Sequence, residues 1–532
     1  MKKQSFLVMI FFGLILFVVS TYSGFVQYEP IEEWVAKYNG PENGQDTALA
    51  VAVDSEGNVY VTGHIGGSGI SSDYATIKYD KNGNQVWIDS YNGPKDGGDQ
   101  ANDIAVDSAG NVYVTGQSDY GTLTGTRCDY CTIKYDTNGN RLWVARYHNT
   151  KSLGSYIPND FGYALAVYED TSGKVFVYVT GSSYGVTDIL KGPTSDYATI
   201  KYDGETGAEL WVARYDNGNM DWCEKIAVDS AGNAYVTGYS MGVGTDYDYA
   251  TIKYDTNGNQ LWVARYNGPS NSYDGAYAIA VDSAGNVYVT GYSMGVGTYY
   301  DFATIKYDTN GNQLWVARYN GPGNLADIAN SIAIDSAGNV YVTGDSISMG
   351  VEIDYDFATI QYDTNGNQQW ITRYDSGPND VAIDIAVDSE ENIYVAGTSR
   401  GVDTDYDFCT IKYRQQFLSV QIDIKPGAYP NVINLGSNGN VPVAILSTAN
   451  FDATTVDPTT ITLAGADVKL KGNGSPLFSF VDVNGDGLLD ILVHINTSAF
   501  ELTDSDTEAV LKGKTFDGVR IRGVDTIRIV PS

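Results

Sequence analysis

Histidine is nearly absent from this chain: three occur in 532 residues, His64, His148 and His494, in unrelated parts of it. That scarcity removes most metal-hydrolase and general-base arrangements. No HExxH, nucleophile elbow or glycine-rich phosphate loop is present either. Four cysteines, Cys128, Cys131, Cys223 and Cys409, are too few for a disulfide framework in a chain of this length. The phrase "CDYC" has the spacing of a zinc or redox pair, but no second pair or nearby histidine completes it. Basic residues are few as well, 32 Lys and Arg against 65 Asp and Glu, for a net charge of −33. Such a surface repels phosphate backbones and anionic lipid, so nucleic acid is not an expected partner, whereas cations are compatible with it. Helical periodicity is missing, and beyond the N-terminal leader no apolar run could cross a bilayer.

Tyrosine, by contrast, is abundant, with 42 residues, so the acidity is not that of a disordered tail. Residues 1–23 combine two lysines, an apolar run from Phe6 to Val19 and small polar residues. This is the layout of a secretory signal peptide, and the run is short for the ~20 residues of a membrane anchor. Cleavage leaves no membrane span.

The remaining sequence repeats itself. "AVDSAGNVYVTG" occurs verbatim from Ala105 and from Ala280, with variants from Ala52, Ala166, Ala227, Ala333 and Ala386. "DYATIKYD" and its variants begin at Asp73, Asp129, Asp196, Asp248, Asp301, Asp356 and Asp407. A tryptophan phrase is centred on Trp34, Trp87, Trp143, Trp211, Trp262, Trp315 and Trp370. Each unit holds four short runs rich in Val, Ile, Thr and Tyr, which read as strands. "DSAGN" and "DTNGN" join them in pairs as tight hairpins. Four antiparallel strands repeated seven times predict an all-β fold, a seven-bladed β-propeller over residues 30–413. The last unit lacks its tryptophan strand, and Trp34 to Tyr38 supply it from the chain start, so leader cleavage is expected before Glu32. Cys131 and Cys409 stand where other units have Ala, a small buried slot. Pairing of Cys128 with Cys223 stays open. Residues 414–419 read as a linker, and residues 420–532, with six short alternating runs, as a β-sandwich.

The phrases "VDSxGNVYVTG" and "DYATIKYDxNGNxLW" resemble the SBBP family of bacterial and archaeal β-propeller repeats, from about Trp34 to Tyr413. The resemblance implies the propeller fold in a secreted or surface protein, and no assigned reaction. "IDIKPGAYPNVINLGSNGNVPVAIL" resembles a domain found at the C-terminus of secreted prokaryotic proteins, which implies extracellular placement.

Residues present in every unit are structural by default, so function is sought where symmetry breaks. The longest connections, around Gln117 to Cys128, His148 to Leu165 and Ser182 to Ser195, fall on one face. They bring Tyr120, Tyr156 and Tyr184 forward as candidate ligand-binding residues, flat apolar area with a polar tip. The seven aspartates that open "DYATIKYD" are read as hydrogen-bonding backbone at the start of a strand rather than gathering cations. In "DVNGDGLLD", Asp482, Asn484, Asp486, the Leu488 carbonyl and Asp490 form a candidate set of oxygen ligands for a structural calcium ion. No organic cofactor is expected. The enzymatic alternatives are a quinoprotein dehydrogenase, suggested by "YDTNGNQLW", and a lyase of the streptogramin-inactivating type, for which only His64 lies near a strand end. The reading preferred is a secreted or cell-surface, monomeric, non-catalytic protein that binds an extracellular glycan or protein.

Overall fold

The computed structural model describes residues 31–40, 46–66, 72–94, 97–119, 128–149, 159–185, 194–242, 244–349, 353–376, 379–388, 391–400, 406–414, 417–437, 439–504 and 506–530. They fall into two compact units that divide between residues 416 and 417. Among the described residues no helix is long and apolar enough to cross a membrane. The leader lies outside the described residues.

The larger unit is built of antiparallel four-stranded sheets, one per repeat. Sheet 1 runs Thr47–Val53, Val59–Gly66, Ser72–Tyr79, Gln85–Tyr91. Sheets 2 to 6 follow the same order, their first strands being Asp99–Val106, Asp160–Glu169, Asp221–Val228, Asp274–Val281 and Asp327–Ile334. Sheet 7 takes Val381–Val387, Ile393–Arg400 and Tyr406–Arg414 from the last repeat, and Ile31–Tyr38 from ahead of the first as the fourth strand, Trp34 opposite Lys412 and Tyr38 opposite Phe408. Every first strand touches the first strands of both neighbouring sheets, and that of sheet 1 touches that of sheet 7.

Local chemistry explains the repeated phrases. In "DSEGN", Asp54 Oδ1 accepts the amides of Glu56 and Asn58 at 3.0 and 2.9 Å, and Oδ2 accepts Asn58 Nδ2 at 2.8 Å and the Tyr60 hydroxyl at 3.0 Å. The carboxylate thus folds the turn and anchors the next strand's tyrosine. The chain closes with Gly57 at φ 80°. In sheet 7 the same turn carries Glu391 instead, at φ 67°. Tryptophans link neighbours: the Trp87 ring lies where a Cβ on Gly139 of sheet 2 would stand, 2.9 Å away, and its Nε1 donates to the Thr137 carbonyl at 3.3 Å. Trp34 does the same to Gly83 and the Lys81 carbonyl of sheet 1, so the strand from the chain start is tied to both end sheets. Trp370 has no such turn ahead of it in sheet 7; it is buried, and its Nε1 finds no partner among the described residues.

"YNGP" has a comparable reason. Fully buried Asp99 accepts the Gly93 amide at 2.5 Å, and a Cβ on Gly93 would meet Asp99 Oδ1 at 2.7 Å. Asp46, Asp160, Asp221, Asp274, Asp327 and Asp380 are buried in the same way, each accepting a backbone amide of the preceding connection. Four of the aspartates that open the third strands pair with arginine where a bond to backbone was expected. Asp196, Asp248, Asp301 and Asp356 face arginines of their own sheet, Arg214 at 2.7 Å, Arg265 at 3.1 Å, Arg318 at 2.9 Å and Arg373 at 3.3 Å. They pair side chain with side chain because the neighbouring first-strand aspartates already hold the backbone.

In the smaller unit, a five-stranded sheet containing Val456–Leu463, Glu508–Thr515 and Arg520–Thr526 shares one apolar core with a four-stranded sheet containing Asn440–Leu446 and Asp490–Asn496. Ile461, Leu463, Leu511 and Ile521 meet Val443, Ile445, Ile491 and Val493 there. Leu418–Ser419 pairs in parallel with Ile521 and Arg522, so part of the stretch read as linker belongs to this unit.

Glu391→Gly is expected to stabilise the protein by about 1 kcal/mol, because glycine adopts the left-handed turn without steric cost. Urea unfolding checks this; a midpoint that fails to rise contradicts it.

Candidate functional site

In all seven sheets the pairing of first and second strands slips by one residue at the same place, after Ala48, Ala101, Gly162, Cys223, Ala276, Ala329 and Ala382. The bulge drives a first-strand carbonyl against the glycine of "YVTG". A Cβ on Gly63 would stand 1.9 Å from the Thr47 carbonyl oxygen, and one on Gly238 would stand 1.9 Å from that of Trp222. Bulges re-aim side chains. Here the extra residues are Leu49, Asn102, Tyr163, Glu224, Tyr277, Asn330 and Ile383, and those after them Ala50, Asp103, Ala164, Lys225, Ala278, Ser331 and Asp384. These two rings differ from sheet to sheet, inside strands otherwise nearly uniform.

The second ring carries charge across the unit. Lys225 of sheet 4 reaches Asp103 of sheet 2, Nζ to Oδ1 at 2.9 Å. Asp103 Oδ2 accepts the Leu165 amide of sheet 3 at 2.8 Å. Asp384 Oδ2 accepts the Val51 amide of sheet 1 at 2.7 Å, and its Oδ1 accepts the Ser331 hydroxyl of sheet 6. Burial opposes charge on Lys225, but Asp103 and Asp384 outweigh it and hold the ammonium above the ordinary lysine value. Burial raises Asp384, with Lys225 opposing.

Around this layer, towards the end of the sheets where the first strands begin, lies an aromatic arc. Phe161 stacks on Tyr163 at 6.3 Å and meets Tyr184 edge-on at 6.4 Å. Tyr184 meets Trp222 at 6.4 Å, and Trp222 stacks on Tyr239 at 6.2 Å with planes 8° apart. Tyr239 leads to Tyr247 and Tyr273, while Tyr277, Tyr292 and Tyr300 form a second group in sheet 5. Gly275 makes room for the Tyr292 ring, which a Cβ would meet at 2.6 Å. Glu224 takes the bulge position of sheet 4 between Tyr163 of sheet 3 and Tyr277 of sheet 5, whose first strands touch its own. Burial first, and after it Glu224 together with neighbouring phenols, raise Tyr163, Tyr239, Tyr277 and Tyr292. Burial pushes Glu224 itself up to about 8, with Lys225 opposing. The positions that correspond to Tyr239 and Tyr292 in the other sheets, His64, Gln117, Ser182, Asp345 and Thr398, are polar. Burial raises Asp345 to about 7 against the hydrogen bond that Asn330 Nδ2 donates at 3.2 Å. Burial lowers His64, so its imidazole is neutral near pH 7, and its Nδ1 has no partner among the described residues.

Of the tyrosines singled out from the sequence, Tyr184 belongs to this arc, and Tyr120 and Tyr156 lie outside the described residues. Sequence reasoning passed over Phe161, Trp222, Tyr239 and Glu224. Their signal was present, as variable positions within the first and second strands, but attention went to variable loop lengths. No disulfide joins the four cysteines; Cys131, Cys223 and Cys409 are buried, with Cys223 Sγ 3.1 Å from Thr180 Oγ1.

The acidic loop of the smaller unit closes on itself. Asp482 Oδ1 accepts the amides of Gly485 and Asp486 at 2.7 and 3.1 Å, and Asp486 Oδ1 accepts that of Leu488 at 2.8 Å. Asp490 is fully buried and gives one oxygen to each of the Ser447 and Val483 amides, both at 2.8 Å. Asp482, Asn484 and Asp486 stay exposed and offer hard oxygen donors of the kind calcium takes. Asp490 anchors the hairpin under them. A tighter acidic group, Asp354, Asp356 and Asp375 within 4.8 Å of one another, lies in sheet 6, where Arg373 already faces Asp356.

Lys225→Met is expected to cost about 3–5 kcal/mol near neutral pH, because it leaves Asp103 and Asp384 buried without their cation. Asp384 has a raised folded pKa, so the stability its protonation contributes is present at low pH and lost as pH rises through that value. The deficit should therefore narrow towards about pH 5. Urea titrations of parent and variant at both pH values measure it, and a constant gap contradicts the account.

Residues 95–120, 215–244, 261–296, 314–348 and 369–403 match the SBBP family, described as a beta-propeller repeat. The chain is 24% identical over 411 residues to an uncharacterized WD repeat-containing protein of Acanthamoeba polyphaga mimivirus, across 71% of this chain and 26% of that protein. It thus spans about a quarter of that relative's length. A solved structure of unknown function from Dyadobacter fermentans is similar at 9% identity and TM-score 0.40, over 74% of this chain and 100% of that one. A puromycin hydrolase mutant is similar at 10% identity and TM-score 0.42, over 75% and 58% of the two chains. A Xanthomonas campestris gluconolactonase gives 10% identity and TM-score 0.30, over 57% and 90%. The chain thus carries beta-propeller repeats of the SBBP family.

Proposed function

We propose that the protein is a secreted or cell-surface, non-catalytic binding protein, a monomeric seven-bladed propeller whose variable end recognises an extracellular glycan or protein. A calcium-stabilised β-sandwich accompanies it. The observation that carries this reading is the aromatic arc from Phe161 through Tyr184 and Trp222 to Tyr239. Repeat symmetry does not require these residues, since the matching first-strand positions in other sheets are Thr47, Gln100, Ile328 and Val381. Large, rigid, half-buried rings beside polar groups are what recognition surfaces use, because they give contact area at low entropic cost. The blade count is supported by seven four-stranded sheets whose first strands touch in a closed sequence. The sandwich is supported by the single core shared by its two sheets. Secretion is supported by the leader and by the acidic surface.

Against arrays of glycans and extracellular proteins, the purified chain should be retained by at least one class of ligand, and Tyr184→Ala with Trp222→Ala should lower retention by about tenfold or more. Retention unchanged in the double variant would sink the site. In the smaller unit, excess calcium should raise the melting temperature, as binding to the folded state alone requires. Asp482→Ala with Asp486→Ala should erase that rise; a rise that persists in the variant argues against this loop.

A further inference from the structure

We propose that the mouth formed by the aromatic arc takes an alkylammonium group, the lysine side chain of a protein partner. Its methylene stem would lie along Phe161, Trp222 and Tyr239, with the ammonium against the Glu224 carboxylate. This rests on the binding reading above and narrows it to a protein partner. Charge is the first argument. Lys225 is the one basic side chain in the two bulge rings, set against Asp103, Glu224 and Asp384, and it is already committed to Asp103 at 2.9 Å. Glu224 accepts no hydrogen bond from the described residues, so its carboxyl is left to a ligand.

The rings are the second argument. Tyr163 and Tyr277 take the same bulge position as Glu224 in the two sheets whose first strands touch its own, so a ring flanks it on each side. Aromatic faces carry the negative pole of the ring and attract cations, most strongly where water is excluded. An ammonium lets the buried Glu224 carboxyl ionise beside these rings, which a neutral sugar does not. A third feature selects a cation that carries N–H groups. Ser182, opposite Phe161 and two residues before Tyr184, is fully buried, and its Oγ has no partner among the described residues. An ammonium N–H can be donated to it; a quaternary ammonium has none to donate. The net charge of −33 draws such a partner in from a distance.

Calorimetric titration of the full chain with n-butylamine hydrochloride at about pH 9, where the amine is charged and Glu224 ionised, tests this directly. The neutral comparator is 1-pentanol. Butylammonium should bind about tenfold or more tightly than the alcohol. Glu224→Gln should abolish that preference without lowering the melting temperature, since the change removes a buried uncompensated carboxylate. Equal binding of the two probes by the parent overturns the inference, and that comparison does not depend on any variant folding. A preference that survives Glu224→Gln overturns it too. Glycan retention lost in the Tyr184 and Trp222 variant, with no preference for butylammonium, would end this inference and leave the binding reading standing.

Discussion

A single-residue slip between the first two strands, repeated in every sheet, sets the character of the interior. It brings the first-strand carbonyl so near the second strand that only glycine fits there, as at Gly63 and Gly238. It also turns two successive side chains per sheet out of the regular pleat. Sheets that must converge need small residues where they meet, which Ala48, Ala101, Ala276, Ala329 and Ala382 provide. The extra residue at each bulge is not held to that limit, and Tyr163, Glu224 and Tyr277 differ there without disturbing the repeat.

From the slip follow both stability and recognition. Lys225 joins carboxylates from distant sheets, a connection that resists the splaying of sheets which otherwise contact only neighbours. The same strands, a residue or two nearer their start, present the rings of Phe161 and Trp222. A rigid charged layer beneath a half-buried aromatic rim holds that rim in place, and preorganisation of this kind lowers the cost of binding. Around the periphery the uniform elements do the opposite work: aspartate-folded turns, arginine–aspartate pairs and tryptophans on glycine turns recur with little change and keep every sheet in register.

Much of the architecture was legible from residues alone. The phrase around Trp34 marks a strand whose partners lie in the last repeat, because only that unit wants one, and Ile31–Tyr38 does pair with Tyr406–Arg414. The aspartate and glycine of "DSAGN" state their own turn. The partners of Asp196 and Asp248 were not legible, since two chemically sensible acceptor roles exist and the choice depends on which donor the sheet twist delivers. Glu391 shows the reverse case: the loss of a glycine is visible in sequence, and its positive φ follows directly.

Sequence by itself determined the strands, the turns, the repeat number and the place where the chain ends meet, because each of these depends on residues adjacent in the chain or recurring at a fixed interval. Only the tertiary structure decided which symmetry-breaking residues act together. Phe161, Tyr184, Trp222 and Tyr239 form one chain of ring contacts because four strands from two sheets arrive at one rim, and Lys225 finds Asp103 across 122 positions of chain. Charge and aromatic contact act through space over a few ångströms, and no pattern along the chain records which side chains a closed arrangement of sheets will bring within that reach.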